Sequence, residues 1–595
     1  MIIVTFMLLT VFTAATINLK ESKQTTTYEE SMKAFQAAQG GVEVALLNFK
    51  NNYEGYTGGD CLIGSPGECT VTLESYDPGA PGGTTTVPHV IWHEQIGGIY
   101  QIIYRKRVSS VWKNAKEDGN YDIIGHSGSE VRSAKLHLDQ NNNPHIIWED
   151  SSSGNREIWY TKWDPNANSG AGAWTGVNGT TPSDNVSNTP SGAAPIGVSQ
   201  LPQFDLYYET STGRVIPHVV WEEYVGSGNR DVYYATLDAS NNWQKENILG
   251  GTSRDSSNPK IKVDSSGVPH VAWSQGMSGS GNPPDVWYTK KVSGGWKKAD
   301  GTAGYDNLSS SSKDGSLIYQ LVLDQVTPQN PHVFWSDVGN LRYTRWTPGI
   351  GWTRADRTTL GYDMLGYIYD SPSYLDVDFD ANNLIQVFWE TSGSNINFIK
   401  QNLSGVWTCA DNNPGVYCLV APQPVESECY LNLGISNTDN NPHLVWRTGP
   451  NWQVYYSKWD NSIWVRLDGT AGFSQLSSGL YEAQVPNSLE IDINDKLHLV
   501  WQGKVNSTDD LDIFYYNSTV GSPENIVPST LGDNASNQHS LRLEESSGTP
   551  ANPKKTFKII STSGGVTRAI QIKAEYIEGP PASVNILSWQ EVAPD

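Results

Sequence analysis

The chain has 595 residues, with 40 Lys+Arg against 63 Asp+Glu, a formal net charge of −23. Its 22 Trp, 29 Tyr and 56 Gly with only 17% charged residues exclude a disordered chain. The acidic balance excludes a nucleic-acid-binding protein, whose affinity rests on neutralising phosphates.

Residues 1–19 (MIIVTFMLLTVFTAATINL) carry no charge and nearly match a hydrocarbon core of about 30 Å. A cleaved secretory signal ending near Thr13-Ala14-Ala15 is one reading, but no basic segment precedes it. Tyr28, Met32, Phe35, Val42, Leu46 and Phe49 continue a single helical face. The expectation is one helix, half in the membrane, over 1–53. Cys61 and Cys69 follow in a Gly-rich loop and Cys409, Cys418 and Cys429 form a second group. In an oxidising compartment Cys61–Cys69 and Cys409–Cys418 are plausible local pairs, leaving Cys429 free.

One phrase then recurs: Pro88-His-Val-Ile-Trp92, Pro144-His-Ile-Ile-Trp148, Pro217-His-Val-Val-Trp221, Pro269-His-Val-Ala-Trp273 and Pro331-His-Val-Phe-Trp335. It continues as Ile385-Gln-Val-Phe-Trp389, Pro442-His-Leu-Val-Trp446 and Leu497-His-Leu-Val-Trp501. The Trp-to-Trp steps are 56, 73, 52, 62, 54, 57 and 55. Each copy has a short strand before the phrase, a paired-aromatic strand after it, and in seven copies a later lone Trp (112, 174, 243, 296, 352, 407, 464). Four short β-runs per repeat predict a propeller blade. The fold class is therefore mainly β: an eight-bladed propeller over about 71–545, or seven-bladed if the last copy only closes the ring.

The histidines of the phrase (89, 145, 218, 270, 332, 443, 498, with Gln386 in the eighth copy) could form a metal ring. A repeat-locked residue is more often a packing device, and the structural reading is preferred. The acidic residues just after the Trp are Glu94, Glu149, Asp150, Glu222, Glu223, Asp337 and Glu390. They are the candidate binding rim, for a cation, a basic partner or sugar hydroxyls. Asn141–Asn143 and Asp439–Asn441 could bind calcium weakly, though such turns are more often plain hairpin turns. No cofactor is expected. Thr556–Ser561 and Arg568–Tyr576 read as a closing hairpin.

Two resemblances follow from these residues. Glu30–Phe49 carries Ala34, Phe35, Ala37, Ala38, Gly41, Glu43, Ala45 and Leu46, and resembles the N-terminal helix of PilX-type, type IV pilin-like proteins. The family's usual basic leader ending in Gly is absent or lies upstream of Met1, and the lack of a Glu in the first turns implies a minor pilin or pseudopilin over a major subunit. The repeat is similar to sialidase-like and BNR-like propellers, although Ser312-Lys-Asp314-Gly315 lacks the Asp-box spacing and its Trp. On this likeness 54–75 and 554–595 are parts of a pilin-like head flanking the propeller. It implies a protein anchored in the cytoplasmic membrane and exported to the cell surface. Its partners would be other pilin subunits, the membrane, and an extracellular protein or glycan, with adhesion rather than catalysis as its work. The alternatives are a membrane-anchored propeller glycosidase and a pilus assembly scaffold.

Overall fold

The computed structural model describes residues 87–527 apart from 109–110, 127, 130, 190–196, 227–228, 252–254, 277–283, 310–315, 327, 338, 369–374, 391–395, 417, 421–430, 437, 449–452, 461, 479, 493–494, 507–511 and 519–520. It also describes the backbone of the strands at 58–60, 68–77, 542–544, 554–563, 566–577 and 583–592, while 448 and 482–487 are given as backbone only. The expected helix over 1–53 and the Cys61–Cys69 pair lie outside the described residues. Chain contacts divide the molecule into Thr85–Ser547, and Met1–Thr84 with Gly548–Asp595.

The second unit holds one five-stranded sheet. Gly58–Asp60 and Glu68–Asp77 pair with Lys554–Ser563, which pairs with Val566–Ile577 and then Ser583–Val592. Strands from both sides of the repeat region thus share one sheet.

The other unit is an eight-bladed propeller. Blade 3 shows the plan: Ser199–Glu209, Arg214–Gly226, Asn229–Leu237 and Trp243–Asn247 pair antiparallel in sequence order. Blades 2 (131–185), 4 (256–307), 5 (316–367), 6 (375–408), 7 (431–475) and 8 (482–525) repeat it. Blade 1 takes its innermost strand, Arg542–Glu544, from the far end of the unit and pairs it with His89–Ile96. The innermost strands touch one another in order around the ring, and Arg542–Glu544 lies between those of blades 8 and 2. The last copy is a complete blade, so the count is eight.

The recurring phrase is the second strand of each blade. It is covered on both faces by neighbouring blades, so it reads as an unbroken apolar run. All eight of its tryptophans are at most 1% exposed. In blades 1, 2, 4, 5 and 7 two separate pieces pair with the third strand beyond the second. In blade 4 these are Gly295–Lys297 and Asp306–Asn307, with a hairpin between them.

The phrase histidines are all buried, and each Nδ1 lies on a third-strand tyrosine hydroxyl. The pairs are His89–Tyr104 and His145–Tyr160 (2.6 Å each), His218–Tyr234 (2.7 Å), His270–Tyr288 (2.6 Å), His332–Tyr343 and His443–Tyr456 (2.9 Å each), and His498–Tyr515 (2.6 Å). In blade 6, where Gln386 replaces histidine, Phe398 replaces the tyrosine, in register opposite Phe388. The two positions change together, as members of a buried hydrogen-bonded pair must.

The tyrosine then reaches across the blade boundary. Tyr104, Tyr160, Tyr234, Tyr288, Tyr343 and Phe398 meet Trp174, Trp243, Trp296, Trp352, Trp407 and Trp464 of the following blade edge-to-face, with centroids 4.9–5.7 Å apart. Tyr515 of blade 8 meets Trp112 of blade 1 at 5.0 Å and closes the circuit. Each such pair contributes about 0.5–1.5 kcal/mol beyond its buried area. Only blade 8 has no lone Trp, so the boundary between blades 7 and 8 is made without this contact.

A test follows in blade 4. Tyr288→Phe should cost about 1–3 kcal/mol by leaving His270 Nδ1 buried without its hydroxyl. Adding His270→Gln, which copies blade 6, should recover part of that loss. Equilibrium denaturation of the single and double variants reads the coupling, and strictly additive losses would remove the pairing argument.

Candidate functional site

The seven predicted rim residues lie on the second strand, one or two positions past the phrase Trp, at the end where the strand runs into its loop. Glu94, Glu149, Asp150, Glu222, Glu223 and Glu390 are at most 5% exposed, and the Asp337 side chain is 14% exposed. They do not form a solvent-facing acidic rim. The physical reason is the neighbouring blade, which covers both faces of the strand.

Two positions past the Trp, in blades 1 to 3, the carboxylate points to the same face as the indole and accepts its N–H. The distances are 2.9 Å for Trp92–Glu94, 3.3 Å for Trp148–Asp150 and 3.0 Å for Trp221–Glu223. One position past the Trp, in blades 2 to 4, the side chain crosses to the next blade. There the innermost strand carries a bulge, with Leu201 and Asn258 at φ 54° and 53°. A bulge leaves a backbone N–H without a ladder partner. Glu149 Oε1 accepts the Leu201 N–H at 2.6 Å, Glu222 Oε1 accepts that of Asn258 at 2.7 Å, and Ser274 Oγ accepts that of Ile318 at 2.9 Å. Glu222 also takes Arg230 at 2.8 Å, whose other nitrogens grip Asp255 at 2.7 and 2.9 Å. Lys260 lies near Glu222, and burial pushes its ammonium down to about 8.

The turn aspartates are likewise satisfied from within. Asp139 Oδ1 accepts the N–H groups of Asn141 and Asn143, both at 2.8 Å, around Asn142 at φ 61°. Among the described residues no three His, Cys, Asp or Glu groups are placed to hold a metal ion. Cys409 and Cys418 are disulfide-bonded. Cys418 lies eleven residues past Trp407, as Asp363 lies eleven past Trp352. Asp363 staples the Ala355 N–H at 2.8 Å, so the disulfide stands where a carboxylate staples the hairpin in blade 5.

Two further recurrences went unread in the sequence. One is W-x-x-A-D-G-T-A-G before Asp306 and its relatives in the other blades, which builds the hairpin. The other is D-N-φ-S, seen as Asp184-Asn-Val-Ser187 and Asp306-Asn-Leu-Ser309. Here Ser187 and Ser309 accept the Ile158 and Val286 N–H groups at 2.8 and 3.0 Å. Both motifs are structural, and both were legible as repeats.

The loop end of blade 2 departs from that of blades 4, 5 and 7. In blades 4, 5 and 7 the residue before the hairpin's closing Asp or Ser is aromatic and packs on the phrase Trp: Tyr305 on Trp273 at 5.6 Å, Tyr362 on Trp335 at 5.5 Å and Phe473 on Trp446 at 6.0 Å. In blade 2 that residue is Ser183. The space over Trp148 is taken by His126 from the loop entering the blade, its ring 6.1 Å from Trp148 and 4.2 Å from Trp159. His126 Nδ1 is 2.8 Å from Asp150 Oδ2, and Nε2 is 3.1 Å from Ser183 Oγ. Asp150 is fully buried and also accepts the Ser129 hydroxyl and the Ser152 N–H, each at 2.6 Å. Burial opposes its charge, but the bonds from His126, Ser129 and Ser152 outweigh that and hold the carboxyl well below its ordinary range. The His126 side chain is 29% exposed, and Ser183 and Trp159 are partly exposed. Of the predicted rim, Asp150 alone belongs to this group. His126 and Ser183 were missed.

No protein-family model matches the chain, and no curated protein does. Solved propellers are similar at low identity. The Aleuria aurantia lectin, a six-bladed propeller with a fucose recognition mode, is 13% identical over 56% of this chain and 96% of its own, with a TM-score of 0.29. An ulvan lyase of the polysaccharide lyases is 11% identical over 64% and 93%, at 0.33. The Dos1 propeller is 8% identical over 72% and 86%, at 0.37. At these values the likenesses decide nothing about ligand or activity, and the propeller stands on the chain's own sheet pairing.

Proposed function

We propose that the propeller is a recognition module for a neutral, hydroxyl-rich ligand of the glycan class, bound at the loop end of blade 2. The observation that carries this is the break in the repeat. Where blades 4, 5 and 7 close the phrase Trp with an aromatic ring, blade 2 presents an imidazole, a hydroxyl and the partly exposed Trp159. An aromatic surface with a few oriented polar groups suits a sugar ring, whose faces are apolar and whose rim is hydroxylated. The buried carboxylates take no part, so the preference for cations or basic partners goes with them. The pilin-like residues of 30–49 support display at the cell surface, as does a separate sheet built from strands that precede and follow the repeat in sequence. In that reading the N-terminal segment joins the membrane and other pilin subunits.

A glycan array probed with the full chain tests this. Binding to a neutral glycan should fall at least tenfold in Trp159→Ala, about 1.4 kcal/mol. Trp287→Ala, the matching position in blade 4, should leave it unchanged. Retention of no glycan, or equal losses in both variants, removes the proposal.

A further inference from the structure

The same group in blade 2 has the order of a charge-oriented nucleophile: a hydroxyl on an imidazole, and that imidazole on a buried carboxylate. We infer that Ser183, His126 and Asp150 form an acyl-transfer centre that cleaves carboxylic esters. This goes beyond recognition, since binding does not require turnover and turnover of a small ester does not require the glycan.

Three observations carry it. First, the distances of 3.1 Å from Ser183 Oγ to Nε2 and 2.8 Å from Nδ1 to Asp150 are those of a poised nucleophile, base and orienting acid. Secondly, the tautomer is set. Asp150 already accepts a hydroxyl and a backbone N–H and is held as a carboxylate, so it takes the Nδ1 proton and leaves Nε2 as the acceptor facing Ser183. Thirdly, exposure is graded in the useful order: Asp150 fully buried, His126 and Ser183 partly open. Packing does not ask for this arrangement, because blades 4, 5 and 7 fill the same place with an aromatic residue.

The step balances without a co-reactant other than water. Ser183 Oγ attacks the ester carbonyl carbon while its proton passes to His126 Nε2. The carbonyl carbon's bond to the alkoxy oxygen breaks, and that oxygen leaves with the proton from Nε2. Water, deprotonated by the same nitrogen, then bonds to the acyl carbon, the carbon's bond to Ser183 Oγ breaks, and Oγ takes the proton back from Nε2 as the acid leaves. Asp150 does not take up the proton. It holds the ring and stabilises the imidazolium.

The test uses the full chain with a fluorophosphonate probe and p-nitrophenyl acetate. Peptide mass analysis should place the adduct on Ser183. Ser183→Ala should abolish labelling and His126→Gln should slow it at least a hundredfold. The exposed Ser153→Ala should label like the parent chain. Ser183→Ala removes only a partly exposed hydroxyl, so its melting temperature should be unchanged. No adduct on the parent chain, an adduct elsewhere, or undiminished labelling in either Ser183→Ala or His126→Gln overturns the inference. The glycan result is read separately, because neither probe contains a sugar.

Discussion

Acidifying the protein from pH 7 to pH 4 is expected to unfold the propeller. His89, His93 and His218 are pushed down to about 3, and His332 and His443 to about 4, first of all by burial. His145 and His270 shift the same way. The folded state keeps these rings neutral, whereas the unfolded chain protonates them as pH falls through about 6.5. The unfolded state then binds more protons, so stability falls with pH until the folded values near 3–4 are reached. Each ring contributes about 1.4 kcal/mol per pH unit at full slope, and five together about 7 kcal/mol per unit. That rivals the whole stability of a typical domain, about 5–15 kcal/mol. Far-ultraviolet circular dichroism against pH should show one steep loss between about pH 6 and 4. Copying blade 6 into two other blades, as His89→Gln/Tyr104→Phe and His218→Gln/Tyr234→Phe, should move the midpoint to lower pH. A propeller that keeps its structure at pH 4 would show that the histidines are not held neutral.

Glu222→Ala should be the most damaging of the carboxylate substitutions. Glu222 is 0% exposed and meets Arg230, the Asn258 N–H and Gln200 Nε2. Removing it leaves a bulge N–H and a guanidinium nitrogen without their acceptor, and strips Lys260 of the nearby charge that favours its ammonium. Breaking a buried pair from one side costs about 3–5 kcal/mol. Glu222→Gln, which keeps an acceptor, should cost less. Urea denaturation midpoints of the two variants give the comparison. A loss in Glu222→Ala no larger than for an exposed residue such as Glu117→Ala would contradict the staple.

The ring was legible because its cause is local and repeated. A strand sandwiched between blades must be apolar throughout, and eight copies of such a strand at near-constant spacing leave few architectures. The role of the phrase histidine was legible too, since Gln386 arrives with a propeller repeat and not with a ligand. The carboxylates were misplaced for a related reason. A Glu after a strand's last Trp reads as the start of a solvated loop, and only the bulge in the next blade reveals that it is covered. That bulge lies 52 residues on for Glu149 and 36 on for Glu222. The blade 2 group was illegible for another reason. Ser183 and His126 are 57 residues apart and their pairing recurs in no other described blade, so nothing in the chain pairs them until the blade folds. The clue available in the sequence was negative: Ser183 stands where Tyr305, Tyr362 and Phe473 stand in other blades.

The polar residues divide into the repeated ones, which build the ring, and the unrepeated His126 and Ser183 of blade 2, which are partly exposed. Carbodiimide-driven carboxyl labelling of the native full chain, read by peptide mass analysis, tests that division most directly. Glu94, Glu149, Asp150, Glu222, Glu223 and Glu390 should stay unmodified while the exposed Asp300 and Asp468 react, and all should react once the chain is unfolded. Modification of the six in the native protein at the rate of Asp300 would contradict it, and would return those carboxylates to the surface as a binding rim.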